Sequence, residues 1–223
     1  MTLDIAALFS GQLFAFMLVF TRLSAGLMFF PGIGEAFISQ RIRMMFGFIF
    51  AIIMTPVLQS YLPPMPQDMG VLFKLIVFEI LVGAFFGVIM RLMVGIMETA
   101  GAIIAMEIGL SNAMALNPAQ AKQSALTAAL LSMVAILLLF VTGLEALLFR
   151  ALIGTYDIFP VGKTFPINDI YQTIVYLTSK TFAIGVQFAT PFIVVGLLIY
   201  STVGIMQRLM PQVQLFLVMI PVQ

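Results

Sequence analysis

Between Val71 and Leu116 the chain is apolar almost without interruption, yet it carries Lys74, Glu79, Arg91, Glu98 and Glu107. As one α-helix this stretch would be about 69 Å long, more than twice the ~30 Å of bilayer hydrocarbon. It must therefore fold back or leave the membrane. Consider Leu75 to Val94 as a span. Its thirteen Leu, Ile, Val and Phe residues favour insertion by about 4 to 8 kcal/mol, whereas Glu79 and Arg91 at mid-membrane oppose it by up to about 5 to 7 kcal/mol together. The totals nearly cancel. Such a segment inserts poorly by itself, which predicts partner subunits that pair these charges.

The rest of the composition agrees with a membrane setting. Of 223 residues, 62% are hydrophobic and 9% charged, against about 25% charged in a soluble domain. The ten Lys and Arg nearly balance the nine Asp and Glu, so no basic surface is present for nucleic acid. Cysteine and histidine are absent, which removes disulfides, thiolate sites and the usual metal ligand. No serine sits in a nucleophile motif, no acid pair has catalytic spacing, and no phosphate-binding loop occurs. The expectation is a non-enzymatic, all-α integral membrane protein built of helical hairpins, with no cofactor.

In chain order, the first apolar run spans about Ile5 to Phe30. Arg22 lies near its end, where its stem is expected to snorkel, and Pro31 and Gly32 stop it. Met1-Thr2-Leu3-Asp4 has no cationic stretch, so this helix is expected to be its own insertion signal. The connector Gly32 to Arg43 holds Glu35, Arg41 and Arg43, and the positive-inside rule assigns it weakly to the cytoplasm. A second run, Met44 to Leu62, is expected to end at Pro56 and the rigid Pro63-Pro64-Met65-Pro66. Leu126 to Leu144 forms a charge-free span closed by Glu145 and Arg150. Asp157 to Asp169 is a polar connector outside the membrane. Thr173 to Met206 is too long for one upright span and is expected to bend at Pro191.

Two features point towards tight packing. Gly83 and Gly87 form a GxxxG pair, and Gly101, Ala105, Gly109 and Ala113 recur every fourth residue; small residues on one helix face admit a second backbone, within the chain or between chains. The acids Glu79, Glu98, Glu107 and Glu145 read as structural pairs (Lys74 with Glu79, Arg91 with Glu98, Glu145 with Arg150) or as proton relays.

The stretch from Glu107 to Ser124 differs from everything around it. It turns small and polar, with Asn117-Pro118 as a turn signal and Lys122 as its cation. Irregular backbone cannot face lipid, so it lies in water, packs in protein or lines a cavity. The reading adopted is an internal loop on a transport path; a surface connection is the plainer alternative.

Phe30-Pro31 with Gly34, then Gln40-Arg41 with Arg43, resemble the signature after the first helix of the FliR/SctT family, export-gate proteins of type III secretion. Glu79 with Gly83 and Gly87, Gly101 with Gly109-Leu110-Ser111, Ala189 with Pro191, and Gly204, Arg208, Pro211, Gln212, Phe216 and Pro221 match further family motifs. Gln214 replaces the family's usual Asn, and Glu107 a frequent Gln. A further apolar segment usual after Pro221 is expected to be missing, and residues 1–223 are expected to form one export-gate membrane domain.

The resemblance implies a subunit that joins FliP and FliQ in a closed hetero-oligomeric helical gate, in the bacterial inner membrane within a flagellar or injectisome basal body. FlhB and FlhA are neighbours, unfolded export substrates the cargo, and membrane lipid the surroundings. By the same resemblance Glu107 to Lys122 is a plug loop, with Met106, Glu107, Gly109, Leu110, Ser111, Asn112, Met114, Asn117, Pro118 and Lys122 at the pore. Arg22, Arg43, Glu79, Gly83, Gly87, Arg91, Glu98, Gly101, Arg208, Pro211 and Gln212 would serve subunit packing and charge pairing. The alternative function is an ion-coupled secondary transporter of a small solute, using Arg91, Glu98 and Glu107 as an intramembrane ion site.

Overall fold

The computed structural model describes residues 5–108, 121–163 and 166–209, which are mostly helical with no strand among them. We number the helices α1 (Ile5–Leu27), α2 (Gln40–Leu58), α3 (Met69–Glu107), α4 (Ala121–Val141), α5 (Leu144–Ile158) and α6 (Ile167–Leu209). A short 3₁₀ turn, Gln59–Tyr61, follows α2. Three of these helices (α2 with its 3₁₀ turn, α3 and α6) are long and apolar enough to cross a membrane, or up to four spans if α4 and α5 together make one. This is an all-α membrane protein.

The chain divides into two compact units. One comprises Met1–Leu92 with Leu139–Tyr176, the other Met93–Leu138 with Leu177–Gln223. Helices α3 and α6 each run from one unit into the other.

In the first unit α1 packs against α2 and α5. Val19, Leu23, Leu27 and Phe30 from α1 and its exit meet Ala51 and Leu58 of α2, Met90 of α3, and Leu148, Leu152 and Tyr156 of α5. The spacing of 148, 152 and 156 is that of one helix face. Phe30 and Phe149 stack with centroids 4.5 Å apart, an arrangement worth about 0.5–1.5 kcal/mol beyond area burial.

Several element ends differ from expectation. Helix α3 does not fold back; it is one unbroken helix from Met69 to Glu107. Pro56 lies inside α2 and does not end it; Thr55 Oγ1 donates to the Ala51 carbonyl (2.6 Å) just before it. Glu145 and Arg150 do not close α4. The break falls at Gly143, in the left-handed region at φ 74°, which a β-carbon disfavours, and both charges belong to α5. Glu145 sits in the first turn of α5, the end where the helix dipole favours an acid.

Candidate functional site

The most polar point of the first unit is buried. Arg22 on α1 and Glu79 on α3 have no exposed side-chain surface. The guanidinium meets the carboxylate as a two-pronged fork, with Nε donating to Oε2 (2.5 Å) and Nη2 to Oε1 (2.7 Å). Nη2 also donates to the Phe159 carbonyl (3.0 Å), and Nη1 makes a longer contact with Thr155 Oγ1 (3.4 Å). The Tyr156 ring lies 3.9 Å from Cζ, within the range of a cation–π contact. Bidentate geometry of this kind is a strong, directional form of ion pairing, and the extra acceptors take up remaining N–H groups that burial would otherwise penalise.

Glycines bring the backbones close enough for this fork to form. A Cβ on Gly83 would run into the Arg22 carbonyl oxygen and approach Ala25 Cβ at 2.9 Å; one on Gly87 would lie 2.8 Å from the Gly26 carbonyl oxygen. Glu79, Gly83 and Gly87 follow one another at four-residue intervals, so they share one face of α3. That face is the α1 contact. The GxxxG pair therefore seats a helix of its own chain.

These contacts correct two expectations. Arg22 does not snorkel, because Glu79, Thr155 and Phe159 satisfy it in place. Glu79 is paired by Arg22, not by the exposed Lys74, since both of its oxygens are engaged across helices. Arg91 likewise reaches outside its own helix. It donates to the Glu35 carboxylate, while the Glu35 and Ile38 carbonyls accept from Arg43 Nη2 at 2.5 and 2.9 Å. Arg43 thus ties down the connector that carries Glu35. The two charges set against insertion of Leu75 to Val94 are neutralised within the chain, so partner subunits are not needed for that purpose.

In the second unit small residues again bring helices close. A Cβ on Gly101 would lie 2.6 Å from Ala128 Cα on α4, and one on Gly185 of α6 would lie 2.8 Å from Thr99 Cβ. Glu107, half-buried at the end of α3, packs against Gly196 of α6. With Ile108, Pro191, Phe192, Val195 and Ile199 they line a cavity of about 320 Å³. Met106 is exposed beside it, and Glu98 is half-buried on α3. Arg91 belongs to the first unit and Glu98 and Glu107 to the second. Arg208 is exposed in the last turn of α6, where the helix dipole favours a cation. Lys122 lies in the first turn of α4. Gly109, Leu110, Ser111, Asn112, Met114, Asn117, Pro118, Pro211 and Gln212 lie outside the described residues.

Thr155, Tyr156 and Phe159 escaped the sequence reading, as did Glu35 as a partner for Arg91. The helical spacing of Leu148, Leu152 and Tyr156 was the available signal for α5. Among the described residues no three His, Cys, Asp or Glu side chains gather where they would hold a metal ion.

Residues 13–223 match the model of bacterial export proteins, family 1. The flagellar biosynthetic protein FliR of Caulobacter vibrioides is 36% identical over 210 residues, covering 94% of this chain and 84% of that protein. The chain belongs to the FliR family of bacterial export proteins. Distant FliR sequences align over nearly the same length. That of Bacillus subtilis is 27% identical over 94% of this chain and 81% of its own. That of Aquifex aeolicus is 24% identical over 95% and 81%. The Arg22–Glu79 fork and its glycines lie well inside the segment matched to the FliR family.

Proposed function

We propose that this FliR-family chain is a gate subunit of a flagellar type III export apparatus, joining FliP and FliQ in a closed channel for unfolded proteins. Family membership supports a component of flagellar protein export, a transport or structural part. The match over residues 13–223 is the observation that carries the reading. Helix length supports the assembly. Helix α3 has 39 residues, about 58 Å, and would need a tilt of about 60° to fit within ~30 Å of hydrocarbon, well beyond the 0–40° seen for membrane helices. Helix α6, with 43 residues, is longer still. Such helices find cover in protein that extends past the bilayer, as in a gate raised within a basal body of the inner membrane beside FlhB and FlhA.

The segment from Glu107, at the end of α3, to Lys122, in the first turn of α4, is the proposed plug. Its Met and Leu side chains form a seal that deforms around a passing polypeptide without specific chemistry. Gly109→Asp is expected to leave the gate ion-permeable or to block its assembly, read as ion leakage and as secretion of flagellar substrates. Normal ion retention with normal secretion in that variant counts against the plug. Affinity purification tests the assembly, with FliP and FliQ expected to co-purify. A chain that is stable alone and moves a small solute in vesicles overturns it.

A further inference from the structure

At the start of α3, in the first unit, lies a groove of about 520 Å³. Val71, Lys74, Phe78 and Leu81 line it from α3, at a spacing that places them along one helix face. Lys163 and Ile167 close it from the other side. We propose that this groove is a binding site for one anionic phospholipid. The assignment concerns the outer surface of the chain and is independent of any channel role.

Charge and shape select that occupant. Lys74 and Lys163 are both exposed, and among the described residues neither is paired with an acid. Glu79, five residues from Lys74, has both oxygens committed to Arg22. Asp68 is turned to the helix start, where Oδ1 accepts from the Gly70 N–H (2.9 Å). Gly162, at φ 84°, sets the turn that presents Lys163, and its α-carbon region faces Leu75. Side chains on a helix lean towards its N-terminus, so the Lys74 stem runs to the same polar end. Below the two cations the lining is hydrocarbon. From Leu75 to Leu81 it extends about 9 Å, enough to seat the upper part of an acyl chain. A ligand with a phosphate at one end and an acyl chain at the other satisfies both halves. Basic pockets at the ends of membrane helices recognise anionic headgroups in this way.

The test uses the full-length chain in neutral detergent, titrated with phosphatidylglycerol and followed by native mass spectrometry. Phosphatidylglycerol is expected to bind in preference to phosphatidylcholine. Lys74→Gln with Lys163→Gln should weaken it about thirtyfold, and either change alone about fivefold. The charge-preserving pair Lys74→Arg and Lys163→Arg should retain it. Should the double Gln variant fail to fold, Lys163→Gln alone, in an exposed turn, carries the test. Equal binding of the two lipids overturns the proposal, as does unchanged phosphatidylglycerol affinity in the Gln variants. Displacement of the lipid by glycerol phosphate as effectively as by phosphatidylglycerol overturns it too, because the acyl groove would then contribute nothing.

Discussion

Both units of this chain bring helices together by the same means, and the first carries a buried ion pair besides. In the unit formed by residues 1–92 and 139–176, Gly83 and Gly87 let α1 touch α3, and the Arg22–Glu79 fork then fixes how they meet. In the unit formed by residues 93–138 and 177–223, Gly101 and Gly185 admit Ala128 and Thr99 in the same way. Close backbones alone gain dispersion contacts and tolerate sliding by a turn. A two-pronged ion pair tolerates neither sliding nor rotation, because each N–H must find its own oxygen. The first unit therefore has a unique register written into it.

Glu79→Ala should break the comparison most strongly. It leaves the Arg22 cation buried without its counter-charge, at about 3–5 kcal/mol, and thermal unfolding in detergent should show a large loss of stability. Replacing both partners with methionine is the sharper test. Apolar replacement of a buried pair is often near neutral, so the Arg22→Met, Glu79→Met chain should recover most of what Glu79→Ala loses. If the fork supplies register, that double variant should nonetheless give less uniform helix packing, visible as extra disulfide cross-links between cysteines introduced on α1 and α3 one turn away.

Next in size come the glycines. Gly83→Ala and Gly101→Ala both push a methyl group into backbone, and overpacking of this kind costs about 1–3 kcal/mol. Gly83→Ala should be the worse of the two, because separating α1 from α3 also stretches the fork. Equal losses would mean that the ion pair adds nothing to the contact. The smallest effect is expected for Arg91→Gln. Its pair with Glu35 is partly exposed, and such pairs contribute about 0.2–1 kcal/mol, so its melting temperature should barely move.

Much of this architecture was legible in the sequence. Apolar runs located the helices, and the four-residue spacing of Gly83 and Gly87 marked a contact face. What remained hidden was the partner. Lys74 is near Glu79 along the chain and Arg22 is 57 residues away, and no local pattern prefers the distant cation. Only the crossing of α1 on α3, made possible by absent side chains, decides it. The chain thus supplies counter-ions of its own to Arg22 and Arg91. Pro56 was nearly right as a stop, since α2 runs only two residues past it, to Leu58. The plug residues from Gly109 to Pro118 rest on family resemblance, and their place in the fold lies outside the described residues.

The buried fork also imposes a timetable on synthesis. Arg22 leaves the ribosome 57 residues before Glu79, a lag of about 3 to 11 s at ordinary elongation rates. During that interval the first helix carries a guanidinium whose counter-ion has not yet been made. It cannot settle into lipid and must wait in the insertion machinery or at the headgroups, so α1 is committed only when α3 arrives.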